Sequence, residues 1–280
     1  EGGEAALSGA IDKLCKLAEK AVDDGHCVVI LSDRRTNAEL TGIPALLACS
    51  AVHHHLIRAG KRTQCGLVLE SGEPREIHHF ALLLAYGAGA INPYVALETL
   101  AEMHRDGRLR EKMTAEDVEH HYIKAVNKGV TKVMSKMGIS TLHSYRGSQM
   151  FEAVGLNHDV IDKYFCRTAS RIEGVGLDAI AREIQQRHAA AYPRRGVREF
   201  LELDPGGQYQ WRRRGEYHLT NPLTVAKLQH AVRQGDAKTF EEYSRLIDEQ
   251  NEHLCTLRGL LDFNIDPRTS VPIDEVEPAK

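Results

Sequence analysis

The chain has 280 residues, 42% of them hydrophobic and 27% charged, with a formal net charge of −3. These values fit a globular protein of one large or two smaller domains, and they give no reason to invoke disorder or a nucleic-acid or membrane partner. No apolar run reaches the roughly 18 residues that a membrane-spanning helix requires. The six cysteines (Cys15, Cys27, Cys49, Cys65, Cys166 and Cys255) never fall in a CxxC spacing. That predicts reduced thiols in a cytoplasmic protein and no clustered set of iron–sulfur ligands. Glu1-Gly2-Gly3 carries no leader signal, and both ends read as cut points within a longer chain.

The first half alternates helix and strand signals. Leu7, Ile11, Leu14, Leu17 and Ala18 have helical spacing over residues 6–23. Cys27 to Leu31 is a short continuous apolar run, which predicts a strand buried on both faces. Ile43-Pro44 opens a helix that runs through Ala45 to Ala59 and stops at Gly60. The cycle repeats with a strand at Cys65 to Glu70, a helix from Arg75 to Tyr86, a third strand at Ala88 to Ile91 and a helix from Tyr94 to Arg105. Three successive βα units predict a parallel sheet with covering helices. Ligand sites in such sheets lie at the carboxyl ends of the strands, here Ser32-Asp33-Arg34, Glu70-Ser71-Gly72 and Asn92-Pro93.

Thr114, with Asp117 three residues on, predicts the cap of a long helix from Ala115 to about Lys136, although Gly129 inside it costs up to about 1 kcal/mol relative to Ala. Met137 to Leu142 reads as a fourth strand and its exit, Ser144 to Val154 and His158 to Phe165 as helices, and Gly176 to Ala191 as an amphipathic helix. The domain organisation expected is a central α/β domain over 1–193, a Gly-, Pro- and Arg-rich linker over 194–207, and a smaller, mostly helical segment over 208–280. In that segment Tyr209-Gln210-Trp211 and Glu216 to Leu219 predict a β-hairpin. Asn221-Pro222 caps a helix over 223–234, a second helix spans 237–260, and the proline-bearing tail from Asp266 is extended. The short Arg212-Arg213-Arg214 run reads as a solvated turn.

Chemistry-bearing residues are few. His53-His54-His55, His78-His79 and His120-His121 are adjacent on predicted helices, whereas a helix presents paired metal ligands at i and i+3 or i+4. A structural role is the simpler reading, and no metal site is expected. Glu173-Gly174-Val175-Gly176 begins like a nucleotide fingerprint, but no third glycine follows and no strand signal precedes it. Ser144-Tyr145-Arg146-Gly147, after the expected strand exit at Ser140-Thr141, is placed for anion recognition by backbone amides and a guanidinium; the competing reading is helix capping with a surface ion pair. Thr168 to Glu173, with Arg171, offers the same two readings.

Long ordered stretches resemble the large (α) subunit of glutamate synthases. They are Ile43 to Leu47 with His53 to Leu56, Glu76 to Leu83, Ala90 to Tyr94, Val126 to Gly129, Lys132 to Thr141, Ser144 to Gly147, Thr168 to Gly174 and Lys227 to Ala231. The resemblance runs from about residue 27 to residue 263. It implies an oxidoreductase of glutamate biosynthesis and ammonia assimilation, making two glutamates from glutamine, 2-oxoglutarate and two electrons. That family joins an amidotransferase domain with an N-terminal Cys nucleophile, a central α/β domain, an FMN-binding barrel with a 3Fe-4S cluster, and a β-helix, with ammonia crossing an internal tunnel. Electrons come from a small subunit with FAD and NADPH, or from ferredoxin. By resemblance, residues 1–193 are the later part of the central domain and 208–280 the lead-in to the FMN barrel. Glu1 stands in place of an N-terminal Cys, and the cluster and FMN motifs fall outside this segment. No catalytic or cofactor-binding residue is therefore carried over, and the segment is expected to be structural or ammonia-channelling and inactive alone. Ser140, Thr141, Ser144, Tyr145 and Arg146 are expected to face the tunnel or a neighbouring domain. The alternatives are an autonomous module binding a small anion such as 2-oxoglutarate or phosphate through Arg146 and Arg171, or a separate small enzyme reusing the domain.

Overall fold

The structure, a computed structural model, describes residues 3–109, 113–193, 206–249, 255–261, 264 and 266–276. The chain forms two compact units, residues 1–197 and 198–280.

Strands β1 (Val28–Ser32), β2 (Gly66–Glu70) and β3 (Ala90–Asn92) form a parallel sheet in the order β1-β2-β3, with Val28 opposite Gly66 and Val68 opposite Ala90. Helices α2 (Ala45–Arg58) and α3 (Ile77–Ala85) make the two crossovers, as the βα pattern predicts. Crossovers of one hand, stepping in one direction, place both helices on the same face. Burial follows from this. Val29, Leu31, Leu67 and Leu69 lie inside, whereas Val28 is 53% and Ile30 is 61% exposed. The expectation that β1 is buried on both faces is therefore corrected. Nothing among the described residues covers its second face, because no crossover passes there.

The covered face carries the core. Helix α1 (Gly3–Asp23) turns Leu7, Ile11, Cys15, Ala18 and Val22 inward, one residue per turn. It packs against α2 and against α8 (Leu177–Ala191), which buries Leu177, Ala181 and Ile184. Each fully buried Leu or Val contributes roughly 1.5–3 kcal/mol relative to its exposed state. Helix α4 (Tyr94–Arg105) and the long α5 (Ala115–Lys136) follow. At the start of α5, Thr114 Oγ1 accepts from Asp117 N at 3.1 Å while Thr114 N donates to Asp117 Oδ2 at 3.0 Å, the reciprocal cap the sequence predicts. Gly129 is where α5 meets α3: a Cβ there would stand 2.3 Å from Ile77 Cδ1.

Between residues 137 and 175 the structure departs from expectation. Met137 to Leu142 is not a strand. Gly138 N donates to Ser135 O and Ile139 N to Met134 O, with Gly138 at φ +72, so these residues close α5 in a Schellman turn. The helix expected over 144–154 is the four-residue α6 (Leu142–Tyr145) followed by β4 (Glu152–Leu156). Helix α7 (His158–Tyr164) matches its expectation. Ala169–Val175 is then a strand, β5, paired parallel to β4. A strand does lead into Gly174-Val175-Gly176, contrary to the sequence reading; its alternating charges masked it.

In the second unit, Asn221 caps α9 (Pro222–Gln234) through Leu223 N and Thr224 N, Gly235 closes it at φ +64, and Asp236 caps α10 (Ala237–Asp248). Lys227 and Glu242 pair between these helices. The expected hairpin is absent: residues 206–221 show no strand pairing, and Gly206 O instead accepts from Glu216 N within a compact turn containing Arg213 and Arg214. The tail beyond Asp266 makes 3-10 turns at Pro267–Thr269 and Ile273–Glu275. The expected linker falls largely outside the described residues, as does the middle of the helix expected over 237–260.

Candidate functional sites

The strand carboxyl ends do gather polar groups. Asp33, just beyond β1, accepts from Ser71 Oγ at 2.6 Å and from Gly72 N at 3.1 Å. Glu70 accepts from Ser32 Oγ at 2.6 Å and from Arg34 Nε at 2.7 Å, and Arg34 lies over the Tyr94 ring at 4.1 Å. Burial pushes the Tyr94 hydroxyl up to about 12, with Asp33 adding to the shift. Beside this network opens a crevice of about 600 Å³ reaching Glu73, Arg75 and Arg187. Burial raises the Glu73 carboxyl and Asp33 raises it further, although the residue keeps an exposed flank; its Oε2 caps α2 by accepting from Ala45 N at 2.8 Å. Most polar groups here bond one another, so the network braces the loops.

The expected site residues are divided. Ser140, Thr141 and Ser144 are exposed, and Thr141 Oγ1 accepts from Ser144 N at 3.3 Å, so the local role of Thr141 is to cap α6. They do not stand at a strand's carboxyl end, because no strand precedes them. Tyr145 is fully buried and its hydroxyl has no partner among the described residues. Arg146 is half-buried, with no acceptor or ion pair for its guanidinium among the described residues, and its Nε is shut away from solvent. Arg171 points out from β5, its side chain 81% exposed, 3.6 Å from Glu152. Arg146 and Arg171 thus share no partner, and the surface ion pair considered for such arginines is found at Arg171 and not at Arg146.

Arg146 belongs instead to a cationic cluster that no spacing announced. Arg62 Nε donates to His53 Nδ1 at 2.8 Å, and its other nitrogens donate to the carbonyls of Cys65 and Gly87 near where β2 and β3 begin. Burial, reinforced by Arg62, His54 and Arg146, holds His53 down to about 3, so its ring is neutral and accepts. Burial also lowers His54, whose Nε2 lacks a partner among the described residues. Next to these histidines a cavity of about 440 Å³ lies between α2, the end of α3, residues 147–151 and residues 166–168. Arg62 sits in a polar turn that reads as ordinary surface; only the packing of α2 against the sheet brings it to His53.

No three His, Cys, Asp or Glu side chains converge on a possible metal position among the described residues. Cys15 and Cys49 are buried apart from each other on α1 and α2, and burial raises their thiols to about 11 and about 12. Such inert, separated thiols do not fit an iron–sulfur cluster. No helix is long and apolar enough to cross a membrane among the described residues.

The fold defines a parallel α/β segment with one sheet face open. Residues 2–157 match the family described as glutamate synthase central domain, and the chain belongs to that family. It is 48% identical to the large chain of the NADPH glutamate synthase of Bacillus subtilis, over 94% of this chain and 17% of that protein. It is 42% identical to the NADH glutamate synthase of Schizosaccharomyces pombe, over 99% of this chain and 13% of that protein. It is 38% identical to ferredoxin-dependent glutamate synthase 1 of Arabidopsis thaliana, a chloroplastic and mitochondrial protein, over 100% of this chain and 17% of that one. The chain therefore spans less than a fifth of the length of these relatives.

Proposed function

We propose that this chain is an architectural segment of a glutamate synthase large subunit, lying between reaction centres encoded elsewhere in a longer polypeptide. The whole protein would make two glutamates from glutamine, 2-oxoglutarate and two electrons in the cytoplasm. FMN and a 3Fe-4S cluster would sit in a barrel that residues 208–280 lead into. An amidotransferase domain, a β-helix, and a small subunit or ferredoxin would complete it. This segment would hold the centres apart and wall the path for ammonia, with Ser140, Thr141, Ser144, Tyr145 and Arg146 at a contact with a neighbouring domain.

The observation that carries this reading is the open face of the three-stranded sheet. Val28 and Ile30 expose 53% and 61% of their surface side by side with the Val68 strand, and parallel sheets are stable with both faces covered. A framework segment flanked by further domains supplies the missing cover. The test is turnover. The isolated chain should release no ammonia from glutamine and should not aminate 2-oxoglutarate; robust activity in either assay would refute the proposal. In the full-length polypeptide, Ile30→Glu should lower glutamine-dependent glutamate synthesis more than it lowers glutaminase activity.

A further inference from the structure

The 440 Å³ cavity has an unusual lining. Arg58, Arg167, His53 and His54 contribute to it and no carboxylate does. Arg58 reaches only neutral acceptors, Cys166 Sγ at 3.4 Å and Lys163 O at 3.3 Å. Arg167 has no acceptor among the described residues. Behind His53 stand Arg62, whose acceptors are all neutral, and Arg146, which has none among the described residues. Two guanidinium groups, those of Arg58 and Arg167, thus line one cavity that has no carboxylate in its wall, while Arg62 and Arg146 add positive charge behind His53. His53 adds no charge of its own, so the positive field comes from arginines and persists at every physiological pH.

A second observation points to the same place. Three non-glycine residues among those described have left-handed backbones: Gln149 at φ 56, Arg167 at φ 64 and Arg214 at φ 64. Two of the three, Gln149 and Arg167, line this cavity. Such conformations persist where the surrounding structure enforces them, and they gather at binding sites. Arg167 thus joins the cavity wall from a left-handed backbone. The remaining wall is apolar, from Ile57, Met150 and Phe151.

We infer that this cavity binds a small organic anion, whose acidic group meets Arg58 and Arg167 and whose apolar body lies against Ile57, Met150 and Phe151. The recognition is by charge-assisted hydrogen bonds from planar guanidinium groups, which suit a carboxylate or a phosphate monoester. It is independent of the architectural role, since the cavity is formed within the first unit.

Calorimetry on the full 280-residue chain tests it, with phenyl phosphate as the probe carrying both an anion and an apolar body, inorganic phosphate as the anion alone, and potassium chloride at matched ionic strength. Phenyl phosphate should bind saturably at one site, phosphate more weakly, and chloride not at all. Arg167→Gly relieves the backbone strain while removing the guanidinium, so this variant should melt no lower than the parent and yet lose about tenfold or more in affinity. Phe151→Ala should weaken phenyl phosphate and spare phosphate, and Arg171→Gln should change neither. Absence of saturable binding by both probes, an equal response to chloride, or undiminished binding by Arg167→Gly would overturn the inference.

Discussion

β1, β2 and β3 pair residue for residue, whereas β4 and β5 slip twice, between Ala153 and Val154 and between Val154 and Leu156. The first sheet draws on an apolar layer, with Leu67 and Leu69 almost wholly enclosed. The second presents Glu152, Arg171 and Glu173 to solvent and is fitted together by its backbone. At Gly174 an added Cβ would lie 2.4 Å from the Gly155 carbonyl oxygen. Around it, Val160, Ile161 and Leu177 on α7 and α8 supply the burial that the strands do not. A parallel strand needs a continuous apolar run only where its own side chains are the core; where flanking helices do that work, the strand can be polar and irregular.

Four substitutions or conditions sharpen or break this contrast. Leu67→Ala should cost most, about 2–5 kcal/mol in urea denaturation, because its side chain is fully enclosed on the helix-covered face. A loss below about 1 kcal/mol would mean the apolar layer is not what holds the first sheet. Gly174→Ala should cost about 1–3 kcal/mol through the backbone collision. Its signature in hydrogen exchange should be lost protection in β4 and β5 with β1 to β3 unchanged; equal loss in both sheets would erase the distinction between them.

Acid should act through the first sheet's covering helices. His53 has its basicity lowered in the fold from 6.5 to about 3. Below pH 6.5 the unfolded chain takes up a proton there that the folded chain refuses. Stability is therefore complete above pH 6.5 and falls as the pH drops toward 3, by at most about 1.4 kcal/mol per pH unit. A His53→Gln variant that still folds should flatten that part of the pH profile, and an unchanged profile would contradict the buried, neutral ring. Arg171→Gln should have the smallest effect, within about 0.5 kcal/mol by thermal melting, because its partner Glu152 meets it at the surface.

Much of this was readable beforehand, for identifiable reasons. Thr114 with Asp117, Asn221-Pro222 and Gly235 mark helix ends through local hydrogen bonds, so a few neighbouring residues suffice to reveal them. The β5 strand escaped notice because Arg171 and Glu173 break the apolar run that betrays a buried strand. Met137 to Leu142 misled in the opposite sense. Its apolar residues suggest a strand, but the left-handed Gly138 spends them on closing α5. Of the expected site residues, Arg146 stands in a cationic cluster, whereas Thr141 caps a short helix through Ser144 N, Ser140 is exposed and Arg171 lies at the surface.

The amino-acid order by itself determined the three βα repeats, the capped helices and membership of the family, since each is recorded in short-range periodicity or in long ordered similarity. Only the tertiary structure decided which face of β1 stays open, that β5 exists, that Arg58 and Arg167 line one cavity, and that Arg62 and Arg146 stand beside His53. Those outcomes depend on what lies across from a residue after the chain has folded, and spacing along the chain carries no record of a neighbour brought there by packing.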